Sequence, residues 1–168
     1  YYLHKYNSYE EYKESQIKLN KKKIDLTFAD ENTLRKVSDI VKESVNNQKN
    51  VSNKIFGICH GSRNGFEQSL LKKIIPNSEV IGTDISDSAL KFKDTVEWDF
   101  HDQKDEWLGK FDFVYTNSLD QSWKPKLALS TWLDQIKDDG VLIIEHTIYH
   151  SPEPVSYTHL RAHETLAD

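Results

Sequence analysis

The chain has 168 residues and a mass of 19.6 kDa, room for one domain with one sizeable core. With 37% hydrophobic and 29% charged residues it has the composition of a globular protein, and no apolar run approaches the roughly 20 residues of a membrane span. A net charge of -5 argues against a nucleic-acid surface, and the single cysteine, Cys59, excludes an internal disulfide and points to a reducing, cytoplasmic setting.

Ser8-Tyr9-Glu10-Glu11 has the spacing of a capping box and predicts a helix to about Lys22. Asp30 is placed to cap a second helix, whose apolar positions Leu34, Val37, Ile40, Val41 and Val45 follow a 3.6-residue period. These helices form an N-terminal segment, residues 1–50, that carries no recognisable motif. The polar stretch Asn46–Asn53 reads as a linker into a second unit, residues 51–153.

In that unit the pattern alternates. Lys54–Cys59 is a short strand, and Phe66, Leu70, Leu71, Ile74 and Ile75 mark a helix that stops at Pro76. Glu79–Asp84 is a strand, Ser86–Phe92 a short helix, Thr95–Trp98 a brief strand and Phe111–Thr116 another. Pro125 suits the first turn of a helix carrying Leu129, Trp132, Leu133 and Ile136. Asp138-Asp139-Gly140 then turns into Val141–His146, an apolar strand of the kind buried on both faces. The alternation predicts an α/β, Rossmann-like, doubly wound parallel sheet. Right-handed crossovers give it the order 3-2-1-4-5, with a ligand crevice where the order reverses.

The first strand runs into FGICHGSRNGFEQ (56–68), a turn with Gly61 and Gly65 that leads into a helix. Glycine there permits a sharp turn and close approach of a ligand, and Asn64 with Glu67 is placed to cap the helix. About twenty residues on, the second strand ends at Asp84, where a carboxylate can accept hydrogen bonds from a ribose diol.

Together these features resemble the class I S-adenosylmethionine-dependent methyltransferases over residues 51–147. GICHGSR (57–63) stands where that family has an acid followed by a G-x-G-x-G loop. VIGTDIS (80–86) resembles its second-strand ending, VEWDFHD (96–102) its third, and residues 111–146 the remainder of its core. The resemblance implies S-adenosyl-L-methionine as cofactor, with Asp84 at the ribose, Ile85 and Phe100 beside the adenine, and Asp99 accepting from the adenine amino group. It also places Gly57, Cys59, His60, Gly61, Arg63 and Asn117 around the cofactor. The chain departs from the pattern where the acid is Gly57 and the first and third glycines are Cys59 and Arg63. Arg63 or His60 is then a candidate for the cofactor carboxylate.

The activity implied is methyl transfer by in-line displacement to a small-molecule or sugar-type acceptor, which needs a general base only if the acceptor must lose a proton. Base candidates fall at the ends of strands 4 and 5. Asn117, Ser118 and Asp120 follow strand 4, and Glu145 and His146 end strand 5, with Asp120 and His146 the catalytic candidates. Two other readings stand beside this one. A non-catalytic nucleoside-binding or interaction module fits the degenerate loop. An NAD-dependent oxidoreductase fits less well, because Gly57, Gly61 and Gly65 are spaced by four rather than as G-x-G-x-x-G.

Residues 154–165, PVSYTHLRAHET, resemble the in-frame translation of a transposon-end adapter used for DNA sequencing libraries. A non-native tail, residues 154–168, is therefore expected after a natural chain cut near Glu153. His159 and His163 within it are not taken as metal ligands. The resemblance implies two further strands beyond strand 5, so truncation would leave that strand as an apolar edge open to aggregation or to pairing with the tail.

Overall fold

A computed structural model describes residues 6–47 and 54–146, together with the backbone of 156–161. The expected linker, from residue 48 onward, and the expected break near Glu153 lie outside the described residues.

Helix α1 spans Tyr9–Lys22, and the Ser8 hydroxyl accepts from the Glu11 amide at its start. Glu11 reaches back to the Asn7 amide, one residue beyond the position a capping box would give. Helix α2, Glu31–Asn46, is capped as expected by Asp30, whose Oδ1 accepts from the Thr33 amide at 2.7 Å.

The sheet contains β1 (Ile55–His60), β2 (Ser78–Asp84), β3 (Thr95–Glu97), β4 (Phe111–Thr116), β5 (Ile136–His146) and β6 (Ser156–Arg161). Their order is β3-β2-β1-β4-β5-β6. The first five are parallel in the expected 3-2-1-4-5 arrangement, and β6 pairs antiparallel along β5. The edge expected at β5 is therefore covered in the structure by residues of the tail.

Helix α3 (Phe66–Ile74) follows β1, and helix α4 (Pro125–Gln135) precedes β5. Two local expectations change. The N-cap of α3 is Gly65 in the left-handed region (φ 75°), while Asn64 Oδ1 accepts from the amide of Phe66, two residues on, at 3.3 Å. The Asp138–Gly140 turn falls inside β5 as a bulge. Phe111 pairs with Ile136 and Phe113 with Val141, so Asp112 alone faces residues 137–140. Lys137 Nζ fixes that bulge, lying 2.9 Å from both oxygens of buried Asp112.

Strand alternation divides the apolar side chains between two faces. On one face Cys59, Val80, Phe113, Tyr115, Val141 and Ile143 pack with residues of α2 and α3. On the other, Ile58, Val114, Leu142 and Ile144 pack with Ala128 and Trp132 of α4. The carboxyl ends of β1 to β5 are thereby held rigidly from both sides, and the candidate site lies across them.

Candidate functional site

The loop after β1 is stitched to the end of β2. Ser62 donates its amide to Thr83 O at 2.9 Å, and the Gly65 amide donates to Ser62 O at 2.8 Å. Gly61 needs its lack of a side chain: its φ is 76°, and a Cβ there would lie 2.4 Å from Ser118 Oγ. Arg63 also takes a positive φ, 39°, which turns its amide onto Asp84 Oδ2 at 3.1 Å.

Asp84 is 3% exposed and fully engaged. Its Oδ1 accepts from the Ser86 amide and from Asn20 Nδ2, each at 2.8 Å. Burial pushes its carboxyl up, against the hydrogen bonds from Ser86 and Asn20 that favour the charged form. Asp99 is held by His101 and Tyr9. His101 Nδ1 lies 2.6 Å from Asp99 Oδ1, and the Tyr9 hydroxyl donates to Oδ2 at 2.6 Å. Burial would raise the Asp99 carboxyl, but the bonds from His101 and Tyr9 outweigh it and hold the group below its usual range.

His101 also contacts Ser122 Oγ at 2.6 Å, completing an Asp–His–Ser chain. Ser122 is buried and lies outside the cleft lining, so the chain orients Asp99 rather than activating a nucleophile.

Helix α1 forms one wall of the cleft, through Tyr12, Gln16 and Asn20. It is cemented by an aromatic cluster in which Tyr12 stacks on Trp123 at 6.1 Å and meets His101 edge-on at 5.8 Å. Arg63 Nη1 donates to the carbonyls of Lys23 (3.3 Å) and Leu26 (3.1 Å), and the guanidinium lies 4.8 Å from the Phe28 ring. The side chain proposed for a cofactor carboxylate is thus turned to the connection between α1 and α2.

Of the residues singled out from sequence, Gly61, Arg63, Asp84, Ile85, Asp99 and Phe100 line the cleft. Asn117 and Asp120 line it as well, from the turn after β4. Four others lie elsewhere. Gly57 is mid-strand beneath the Phe113 ring, where a Cβ would approach ring carbons to 2.1 Å. Cys59 is buried in the core on the α2–α3 side, and burial pushes its thiol up. His60 is spent on the opposite face. Its ring nitrogens lie 2.8 Å from Thr83 Oγ1 and Gln135 Oε1, it stacks on Trp132, and burial drives its pKa down to about 4. His146 ends β5 outside the lining.

At the far end of the cleft, Glu145 lines the wall while only 6% exposed, and accepts a short hydrogen bond from the Tyr115 hydroxyl. Burial raises its carboxyl. The sequence reading missed the wall supplied by α1, because a polar amphipathic helix carries no signal of what it will cover. It missed Tyr115 and Glu67 because each sits at a position that reads as strand core or helix cap.

No family model matches the sequence, and no curated protein does. Solved structures do. CalS10, a SAM-bound amino pentose methyltransferase from Micromonospora echinaspora involved in calicheamicin biosynthesis, aligns with a TM-score of 0.59 at 14% identity over 88% of this chain and 61% of its own. The sugar N-methyltransferase KedS8 from Streptoalloteichus aligns with a TM-score of 0.57 at 17% identity over 77% of this chain and 53% of its own. The [4+2]-cyclase SpnF aligns at 0.53 and 14% identity, over 70% of this chain and 47% of its own.

This chain has the fold of class I SAM-dependent methyltransferases. It spans less than two thirds of the length of each of those three structures. Among the described residues, no helix is long and apolar enough to cross a membrane, and no cluster of three or more His, Cys, Asp or Glu side chains could hold a metal ion.

Proposed function

We propose that the chain is the core of an S-adenosylmethionine-dependent methyltransferase acting on a small-molecule or sugar-type acceptor. The observation that carries this reading is the pair of buried carboxylates, Asp84 and Asp99, at the ends of adjacent strands on one side of the cleft. Each is held in place by nearby donors: the Ser86 amide and, from the loop after β1, the Arg63 amide for Asp84, and His101 for Asp99.

The fit to a nucleoside is specific in two respects. The α1 groups that complete the two carboxylates are a neutral amide, Asn20, and a neutral hydroxyl, Tyr9, the same donor chemistry as an adenosine amino group and ribose hydroxyls. The wall between them includes Ile85 and Phe100, apolar surfaces suited to a purine face. Asp84 would orient the sugar and Asp99 the base, while Gly61 and Asn117 border the remainder of the cofactor. Bound there, S-adenosylmethionine would supply a methyl group on a sulfonium, open to in-line displacement by the acceptor. Helix α1, by covering the crevice, would keep water from it. Asp120 is an exposed carboxylate that lines the cleft and is the base candidate that remains; His146 would act only from outside the lining.

A second reading, a nucleoside-binding module without methyl transfer, is favoured by the two carboxylates already being bonded to α1 and by the presence of a cyclase among the structural neighbours. Calorimetry with S-adenosylmethionine, S-adenosylhomocysteine and NAD tests both. Binding of the first two without NAD, with turnover of a sugar-type acceptor, is expected. Binding without turnover across an acceptor panel supports the second reading, and preference for NAD sinks both.

A further inference from the structure

Three side chains gather on the α2–α3 face of the sheet at the β4–β5 end of the cleft. Glu145, next to last in β5, lines the cleft, Tyr115 on β4 donates its hydroxyl to Glu145, and Glu67 projects from the first turn of α3. Both carboxyls are more than nine-tenths buried: Glu145 is 6% and Glu67 7% exposed. Glu67 Oε2 is buried with no hydrogen-bond partner, and the Glu67 side chain is bonded toward Asn117, which lines the cleft.

Among the described residues, charge near this cluster is mostly negative, with Arg63 the one cation that acts on it. Glu145 and Glu67 act on one another, and Asp30 adds its negative charge to Glu145. The positive charge of Arg63 reaches Glu67, but the guanidinium is turned to the carbonyls of Lys23 and Leu26 and to the Phe28 ring. Burial pushes the Glu67 carboxyl up to about 7 and raises Glu145 as well. Two buried carboxyls with an orphaned oxygen beside a ligand cleft cost folding free energy unless a proton or a cation joins them.

We propose that Glu145, backed by Glu67 and Tyr115, forms a subsite for an ammonium group of the ligand. An ammonium offers three donors on a compact positive charge, which suits the Glu145 carboxyl with its Tyr115 partner and the unmet oxygen of Glu67. The inference rests on the cofactor reading for where the ligand lies, but the subsite selects ammonium chemistry whichever molecule bears it. Two sources are open: the amino-acid end of the cofactor, or an amine on the acceptor. The absence of a side chain at Gly57, enforced by the Phe113 ring, means that no acid can serve this purpose from β1.

The test is calorimetric. Three nucleosides are titrated into the wild type, Glu145→Gln and Glu67→Gln: S-adenosylhomocysteine, its decarboxylated analogue, which keeps the ammonium, and methylthioadenosine, which lacks it. In a second arm, glucosamine and glucose are titrated into the S-adenosylhomocysteine complex. If the cofactor carries the ammonium, the decarboxylated analogue binds the wild type at least about tenfold more tightly than methylthioadenosine. Glu145→Gln then collapses that ratio, and Glu67→Gln reduces it, with methylthioadenosine affinity unchanged as the folding control. If the acceptor carries it, the ratio is near one and Glu145→Gln abolishes the preference for glucosamine over glucose.

Equal loss of all nucleosides in the Gln variants, or neither preference in the wild type, overturns the subsite while leaving the cofactor reading standing. No nucleoside binding with Glu145-dependent capture of glucosamine, titrated into the free protein, does the reverse. Failure of both arms sinks both.

Discussion

The two ends of the cleft carry the same kind of group in opposite states. At the β2–β3 end, Asp84 and Asp99 are each satisfied by three hydrogen bonds, one of them from a neutral side chain of α1. At the β4–β5 end, Glu145 has a tyrosine hydroxyl and Glu67 keeps an oxygen without a partner. Side-chain burial is similar at both, the Asp99 side chain being 7% exposed, so exposure does not set the difference. The supply of donors does. Asp84 and Asp99 sit beside backbone amides that turn toward them, whereas Glu67, engaged by its own amide and by Asn117, still leaves Oε2 unmet, and Glu145 is met by the Tyr115 hydroxyl. The first end is prepared for neutral donors, the second for a cation.

The most severe way to break this arrangement is to put a side chain back on β1. Gly57→Ala places a Cβ 2.1 to 2.7 Å from three atoms of the Phe113 ring, with Phe113 itself directly paired across the ladder. The ring must leave its rotamer or the strands must part. A destabilisation of about 3 kcal/mol is expected from overpacking, read as a drop in the urea midpoint with an unchanged slope. A neutral result would show that the ring can move aside and that an acid on β1 was sterically available.

Asp84→Asn breaks the comparison at the other end. The substitution keeps the shape but removes the charge and one acceptor, while the Ser86 and Arg63 amides and Asn20 still point at it. Hydrogen bonds to a charged group are worth about 1.5–3 kcal/mol each. A loss of roughly 100-fold in S-adenosylhomocysteine affinity is expected by calorimetry, because about 1.4 kcal/mol corresponds to tenfold. Retained affinity would move the sugar away from this carboxylate.

Much of the fold was legible because it is local. Caps at Ser8 and Asp30, the short apolar strands and the Pro125 helix start depend on neighbours within a few residues, and the structure has each of them. The bulge at 137–140 was read as a turn because its signal, Asp-Asp-Gly, is that of a turn; only the pairing of Ile136 with Phe111 reveals that the strand began before it. At the site, Asp84 and Asp99 were legible from their places at strand ends. His60 was not, since one residue of strand alternation decides whether it faces the loop or Trp132, and the chain puts it on Trp132. The α1 wall depends on contacts spanning 64 and 90 positions in sequence, which no local pattern records.

Glu67→Gln sharpens the contrast through pH. The folded carboxyl is raised from 4.5 to about 7 by burial, so between those values the folded state holds a proton that the unfolded chain has released. Stability attributable to Glu67 is intact below pH 4.5 and is lost as the pH rises through the folded value. A glutamine at this position has no proton to lose and escapes that penalty. The variant is expected to match the wild type near pH 4.5 and to be more stable by about 2 kcal/mol at pH 8, in urea titrations at each pH. His60 titrates oppositely, its stabilisation being lost as the pH falls from 6.5 toward about 4, but it is common to both proteins and cancels in the difference. A constant difference across the range would mean that Glu67 is not the group titrating.

The smallest effect separates α1 as a wall from α1 as a competitor. Asn20→Ala removes one donor from Asp84 and leaves the two backbone amides in place, and neighbouring Lys21 still pairs with Asp87 at 2.8 Å. A stability loss of about 1 kcal/mol is expected for one side-chain hydrogen bond. If a ribose hydroxyl must replace the Asn20 amide, that same loss no longer opposes the ligand, and S-adenosylhomocysteine should bind up to about fivefold more tightly. If both donors can share the carboxylate, which has about four lone-pair sites for its three present bonds, affinity stays level. A fall in affinity would be more informative than either, because Asn20 would then touch the ligand, and α1 would belong to the binding surface itself.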